Sequence, residues 1–206
     1  MGRGELSRAT GEKRGLSFGK GGGGGEPSLK LLPARINRTS NTGDLNKMIK
    51  GFAEKHSGAP REYGAFIDEY GYATGYYEGK TGSVSFPSSE LPNRDILHNH
   101  PRGGWANFSG QDLTTFAESK ALGITAVSKH YVPRSNASEA TKRAAANRRA
   151  GTYVIRKTGR FKKDEFVRAI HNVKVRSNNY DKDLSKWLAK NQQKYGYKYS
   201  YKPAKK

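Results

Sequence analysis

The residues best suited to chemistry lie in one stretch of the chain, HNHPRGGWANFSGQD, at positions 98–112. This stretch contains His98 and His100, two residues apart, and ends on Asp112. Imidazole nitrogens and carboxylate oxygens are ligands that Zn²⁺ accepts, and three protein ligands leave a fourth position for water, as in catalytic zinc sites. We therefore predict a Zn²⁺ site formed by His98, His100 and Asp112.

Two elements would bring these ligands together. Residues 94–97 are expected to be the end of a strand, and residues two apart on a strand point the same way, so both histidines can reach one ion. Residues 111–122 are expected to form a helix that has Ser109 as its N-cap and Asp112 in its first turn. The helix would thus place a carboxylate beside the end of the strand.

The spacing H-x-H-P, seven residues, S-x-x-D resembles the signature of the JAMM metalloproteases, whose domain is called JAB/MPN. In that family the two histidines and the aspartate hold zinc, which implies a Zn²⁺ cofactor on His98, His100 and Asp112. The family's serine assists the oxyanion, and this implies the same role for Ser109. Its general base is a glutamate that follows a first helix, and the resemblance implies Glu62 for this role.

The chain before the motif is also similar to the start of these domains. Residues 44–55 have the apolar spacing of an amphipathic helix. A break that contains Pro60 follows, and Glu62 then opens an apolar strand at residues 62–68. Four other glutamates compete with it for the role of base: Glu54, Glu69, Glu78 and Glu90.

One residue departs from the pattern of part of the family. Asn99 lies between the two histidines, where deubiquitinating members more often have Ser or Thr. The sequence His-Asn-His-Pro is more similar to the RadC branch and to JAB domains of phage and bacterial toxin proteins. The resemblance covers about residues 44–155. It implies a protein or peptide substrate without implying a ubiquitin-like one.

The hydrophobic patterns and the resemblance together predict an α/β fold, a JAB/MPN-like mixed β-sheet sandwiched by helices. We divide the chain into a disordered Gly-rich basic arm at residues 1–43, a metallopeptidase domain at 44–158 and a basic helical extension with a Tyr/Lys-rich tail at 159–206. Further strands are expected at residues 71–77, 82–86, 124–128 and 152–156, the last of these being the final strand of the domain. A basic, Ala-rich segment of helical composition at residues 133–150 interrupts them.

Composition excludes several classes of site. The chain has no cysteine, so it has no disulfide, no thiolate metal site and no zinc-deaminase ligand set. No apolar run approaches the roughly 20 residues needed to span a bilayer, so no membrane association is expected. The N-terminus lacks the apolar stretch of a signal peptide. We expect a cytoplasmic protein by default, with a virion-associated or secreted effector as alternatives.

Charge leaves a second class of partner open. The formal net charge is +20, which favours attraction to a polyanion. The tail KYGYKYSYKPAKK alternates tyrosine and lysine, a pattern that can bind nucleic acid through phosphate contacts and base stacking; a solvated extension is the alternative. His56, His130 and His171 have no partner at ligand spacing, and we interpret them as surface or structural residues.

Three functions are therefore consistent with the sequence. The first, which we favour, is a zinc-dependent metallopeptidase of the JAMM type that hydrolyses a peptide or isopeptide bond. The second is a RadC-like or phage-associated protein whose basic flanks bind nucleic acid. The third is a catalytically inactive JAMM-like scaffold for a protein partner.

Overall fold

The helices and strands follow the hydrophobic pattern of the sequence over most of the chain. A computed structural model describes residues 3–5, 17–18, 30–31, 44–86, 91–101 and 104–205. The arm predicted to be disordered, residues 1–43, lies almost entirely outside the described residues, and so does Glu90. None of the described helices has both the length and the apolar composition needed to cross a membrane.

The described elements are mostly short, with the helices interspersed among the strands. The strands are β1 (Arg3–Glu5), β2 (Ser17–Phe18), β3 (Lys30–Leu31), β4 (Tyr63–Ile67), β5 (Ala73–Glu78), β6 (Ser85–Phe86), β7 (Asp95–Asn99), β8 (Gly123–Val127), β9 (Gly151–Lys157), β10 (Lys174–Arg176) and β11 (Tyr197–Pro203). The helices are α1 (Leu45–His56), α2 (Gly110–Glu118), α3 (Glu139–Asn147), α4 (Lys163–His171), α5 (Tyr180–Lys190) and α6 (Gln192–Tyr195), with a 3-10 turn at Ser177–Asn179.

Seven of the described strands form one mixed sheet, in the order β11-β9-β8-β7-β4-β5-β3. Strands β7 and β8 pair in parallel, and the other neighbours in this sheet are antiparallel. Of the remaining short strands, β1 pairs with β10 and β2 pairs with β6. The predicted α/β class with a mixed sheet is confirmed.

Helices cover both faces of the sheet because successive side chains of a strand point to opposite faces. On one face, Ala65 and Leu97 pack with Met48 and Phe52 of α1. On the other face, the buried side chains of β4, β7, β8 and β9 pack with those of α2, α4 and α5. The strand residues of this second core cluster include Phe66, Ile96, Ala126 and Ile155. Its helix residues include Leu113, Phe116, Phe166, Leu184 and Leu188.

The C-terminal part of the chain adds a strand to the sheet. The expectation that residues 152–156 form the last strand is wrong, because Tyr197–Pro203 pairs with β9 along its whole length. The Tyr/Lys alternation that suggested a tail has the period of a strand with one covered face. Tyr197 is accordingly buried in the core, whereas Lys198 and Lys202 are exposed.

Three other segments are shorter than the sequence suggested. The helix expected at residues 111–122 ends at Glu118. Of the strand expected at residues 82–86, only Ser85–Phe86 is a strand. Within the segment at residues 133–150, only Glu139–Asn147 is helical. The helix begins there because the Ser138 side chain accepts a hydrogen bond from the Thr141 N–H and so caps it.

Candidate metal centre

The three predicted ligands meet where β7 ends and α2 begins. His98 lies in β7, and the His100 N–H, just beyond the strand, donates to the Val127 carbonyl of β8 at 2.9 Å. Both imidazoles therefore leave the backbone from the same face at the same end of the sheet. Asp112 lies in the first turn of α2, as the sequence predicted.

The ligand atoms of these residues converge in a buried space. The Nε2 atoms of His98 and His100 are 2.9 Å apart. The Asp112 carboxylate oxygens lie 3.4 Å from the His98 Nε2 and 3.3 Å from the His100 Nε2. His98 and Asp112 are fully buried, and His100 is 7% exposed. Three ionisable side chains thus share one small, water-excluded space.

This donor set fits Zn²⁺. Two ligands bonded at about 2.0–2.2 Å to a tetrahedral ion are about 3.3 Å apart, close to the separations seen here. A buried histidine pair beside a carboxylate also has the nitrogen and oxygen donors that zinc prefers. Among the described residues, His98, His100 and Asp112 are the group that could hold a metal ion.

The orientation of His100 leaves the correct nitrogen available. Its Nδ1 lies 3.1 Å from the Trp105 carbonyl oxygen, and a carbonyl can only accept, so the Nδ1 carries the proton. The Nε2 therefore faces the other two ligands, and it is the nitrogen that would bind a metal ion once it has lost its own proton. A hydrogen bond of this kind is the usual way in which a protein fixes the tautomer of a ligating histidine.

Ser109 and Asp112 hold each other through a capping box. The Ser109 N–H and Oγ–H both donate to the Asp112 Oδ2, at 2.7 and 2.8 Å, and the Asp112 N–H donates to the Ser109 Oγ at 3.1 Å. Ser109 is thus the predicted N-cap of α2. Its hydroxyl proton is engaged by Asp112 in this arrangement, so the serine orients a metal ligand.

The surroundings of Asp112 favour its ionised form. Burial alone would raise the pKa of this carboxyl group. The charges of the two neighbouring imidazoles, His98 foremost, and their hydrogen bonds hold its pKa well below the ordinary value. An ionised carboxylate is the form that binds a metal ion.

The loop between the two halves of the motif is held by Arg148. The Arg148 guanidinium donates to the carbonyls of His100, Pro101 and Gly104, the first two at 3.3 and 3.2 Å. Arg148 is only 7% exposed, so these charge-assisted bonds are shielded from water. Arg148 therefore fixes the backbone that carries His100.

The same loop is held from its other end by α5. The Asp181 Oδ1 accepts from the N–H groups of Ala106 and Asn107, both at 3.0 Å. Tyr180 stacks on Trp105 with ring centroids 4.9 Å apart, and its hydroxyl donates to the Phe108 carbonyl at 2.9 Å. The Trp105 carbonyl that orients His100 is thus positioned by the C-terminal part of the chain.

Glu62, the proposed base, lies on the same face of the sheet as this centre. It directly precedes β4, its N–H donates to the Lys80 carbonyl and its carbonyl accepts from the Gly79 N–H. Gly64 pairs with His98 in the sheet, so alternation places Glu62 on the face that His98 occupies. The Glu62 side chain is only 1% exposed.

Asn99 fastens the backbone on both sides of Glu62. Its Nδ2 donates to the Arg61 carbonyl at 2.8 Å, and its Oδ1 accepts from the Tyr63 N–H at 2.6 Å. Asn99 is fully buried. The residue between the two histidines therefore ties the proposed base to the strand that carries the ligands.

The competing residues lie in other surroundings. Glu54 and Glu69 are exposed, and Glu78 forms an ion pair with Arg61 at 3.5 Å. His130 and His171 are also exposed, in agreement with their interpretation as surface residues.

His56 is a structural residue. It is buried, contacts the Tyr76 hydroxyl and stacks on Tyr63.

Sequence reasoning missed Asn99, Arg148 and Asp181 as parts of the site. The position of Asn99 between two ligands could have indicated its role. A buried amide there must find hydrogen-bond partners for both its donor and its acceptor. Arg148 and Asp181 reach the site from distant parts of the chain, and nothing in their neighbouring sequence indicates it.

Searches for similar proteins gave no match with any family model, curated protein or solved structure.

Proposed function

We propose that this protein is a zinc-dependent metallopeptidase of the JAMM type that hydrolyses a peptide or isopeptide bond. One observation carries the proposal: the ligand atoms of His98, His100 and Asp112 converge in a buried space on the sheet face where Glu62 lies. The order of the elements also supports a JAB/MPN-like fold. Helix α1, the strand after Glu62, the strand of the histidines and the helix of Asp112 follow one another as that resemblance implies.

His98, His100 and Asp112 would hold the ion. When bound, Zn²⁺ supplies a water that ionises near neutral pH and a Lewis acid for a substrate carbonyl. The nearly complete burial of the ligands excludes bulk water and strengthens electrostatic interactions within the site.

Glu62 would move the proton. It accepts a proton from the attacking water, whose oxygen forms a bond with the carbonyl carbon of the substrate. Glu62 then delivers that proton to the nitrogen as the C–N bond breaks, so the products are a carboxylic acid and an amine. Asn99 keeps the backbone on each side of Glu62 in register with β7.

Ser109 would act first on Asp112. Its two hydrogen bonds to the Asp112 Oδ2 hold the carboxylate toward the histidines. Stabilisation of the oxyanion by Ser109, which the resemblance implies, would require the hydroxyl to leave Asp112 during the reaction.

Two measurements test the proposal together. Elemental analysis should find about one zinc per wild-type chain, and the His100→Ala and Asp112→Ala variants should lose it. A peptide and isopeptide library, read by mass spectrometry, should reveal cleavage by the wild type. Glu62→Gln should bind zinc normally yet cleave about 10²–10⁴-fold more slowly, the usual contribution of a general base.

Glu54→Gln is the matched control, because Glu54 is exposed on α1. It should cleave like the wild type. A folded wild-type protein that takes up no zinc after supplementation would refute the metallopeptidase. Zinc bound without any cleavage would instead favour the inactive scaffold.

A further inference from the structure

A row of lysines lies along the outer side of α5 and α6. Lys182, Lys186, Lys190 and Lys194 are four residues apart and all exposed, whereas Leu184 and Leu188 on the opposite side are buried. Four residues advance an α-helix by about 6 Å, so the ammonium groups of α5 follow one another along one side of the helix. We call these four residues the lysine row.

The carboxylates of α5 are occupied elsewhere. Asp181 is buried and accepts from backbone N–H groups. Asp183 binds the Arg176 guanidinium at 2.9 Å, and Arg176 is the main cause of the lowered pKa of Asp183, with the charge of Lys186 a weaker cause. Within the described chain, no carboxylate forms an ion pair with a lysine of the row.

Four lysines in or directly before other helices are arranged differently. Each has a carboxylate partner three or four residues away, and the pairs are Lys47–Asp44, Lys50–Glu54, Lys142–Glu139 and Lys162–Glu165. The lysine row lacks such partners, and the sequence contains no Asp or Glu after Asp183. Within the described chain, the four lysines of the row therefore present their charges without a carboxylate in direct contact.

The chemistry around the row favours nucleic acid over other polyanions. Membrane-surface helices and protein interfaces combine charge with exposed apolar or aromatic side chains. The large hydrophobic side chains exposed in the described residues are Tyr70, Tyr72 and Val132, and none belongs to α5, α6 or β11. A surface that offers charge alone fits the phosphate backbone, which binds through charge.

The nearby tyrosines also limit the kind of binding. Tyr197 is buried, and the hydroxyls of Tyr199 and Tyr201 donate to the Ser185 Oγ and the Ala150 carbonyl. The Tyr197 ring lies in the core and the half-buried rings of Tyr199 and Tyr201 pack against it, so these rings do not form an exposed stacking platform for bases. We infer that the lysine row binds the phosphate backbone of nucleic acid without reading its sequence, and that duplex DNA binds at least as well as single strands.

The test compares two quadruple variants of the full chain with the same loss of charge. In the row variant, Lys182, Lys186, Lys190 and Lys194 are changed to Gln. In the control variant, the four lysines that have carboxylate partners are changed to Gln: Lys47, Lys50, Lys142 and Lys162. The affinity for a fluorescent duplex of about 20 base pairs is measured by anisotropy between about 50 and 200 mM salt.

The row variant should lose about 3–4 from the slope of log K against log salt, since each phosphate contact contributes about 0.9. The control variant should lose less than about 1. Equal losses in the two variants, or a row variant with the wild-type slope, would overturn the inference. Row-dependent binding to vesicles that contain phosphatidylserine, without row-dependent binding to DNA, would overturn it in favour of a membrane.

Folding of the row variant is checked by circular dichroism. If the quadruple variant fails to fold, the pair Lys182→Gln and Lys190→Gln replaces it and should lose about half as much slope. Because these lysines take no part in the metal centre, the measurement stands whether or not the chain binds zinc.

Discussion

Asp181 offers the sharpest test of how the C-terminal part of the chain supports the metal centre. Its Oδ1 accepts from the N–H groups of Ala106 and Asn107 at 3.0 Å, and its Oδ2 accepts from the Arg149 N–H at 2.9 Å. Asp181 is 1% exposed, so no water replaces these bonds easily. Burial raises its pKa, opposed by these backbone N–H groups and by Arg148.

The bonds of Asp181 determine the expected loss of stability. Asp181→Ala leaves two buried N–H groups and the half-buried Arg149 N–H without an acceptor, at about 1–3 kcal/mol for each buried group. Relief of the buried charge and local relaxation offset part of this loss, so we expect the free energy of unfolding to fall by about 3–5 kcal/mol. Asp181→Asn can keep the two bonds at Oδ1 and loses only the one from Arg149. In this variant the free energy of unfolding should therefore fall by about 1–3 kcal/mol.

Urea unfolding followed by tryptophan fluorescence measures these losses, and Asp183→Asn is the matched control. Asp183 lies two residues away and pairs with Arg176 near the surface, so its loss should matter much less. Zinc affinity should also fall by about 10–100-fold in Asp181→Ala, because this variant loses the bonds to Ala106 and Asn107 that position the Trp105 carbonyl, which orients His100. The reasoning is refuted if Asp181→Ala is no less stable than Asp183→Asn, or if zinc affinity is unchanged.

Two further outcomes are expected. Asn99→Ala should keep zinc, as measured by elemental analysis, yet cleave at least about tenfold more slowly, because the backbone on either side of Glu62 is released; a rate equal to the wild type would contradict this role. Burial and the charge of Lys55 lower the pKa of His56 to about 4, below the unfolded value of about 6.5. The unfolded state therefore takes up the proton first, and urea unfolding should show about 2–3 kcal/mol of stability lost between about pH 6.5 and 4. His56→Phe should lack most of this dependence, and an equal dependence in that variant would assign it to other groups.

The ligand set could be predicted from the sequence because its geometry is local. His98 and His100 share a face by strand alternation, and the capping box joins Ser109 to Asp112 within one turn of helix. Each relation spans at most three residues. The structure brings the two pairs together as those local rules, with the expected strand and helix, required.

The supports of the site could not be predicted in this way. Asn99 bonds to backbone atoms of Arg61 and Tyr63, and Asp181 bonds to those of Ala106 and Asn107. These contacts join residues far apart in the chain, and backbone atoms carry no sequence signal. The strand β11 was missed for a related reason. The alternating tyrosines and lysines fit a nucleic-acid-binding tail as well as a strand, until β9 is available as its partner.

The contacts that support the metal centre come from both sides of the domain boundary predicted at residue 158. Arg148 lies before it and holds the carbonyls of His100 and Pro101. Asp181 lies after it and holds the backbone of Ala106 and Asn107. The loop that joins the histidines to Asp112 is therefore fixed at its start by Arg148 and near its end by Asp181. Because the orientation of His100 depends on the carbonyl of Trp105 within that loop, residues 159–205 contribute to the geometry of the metal centre even though they contain none of its ligands.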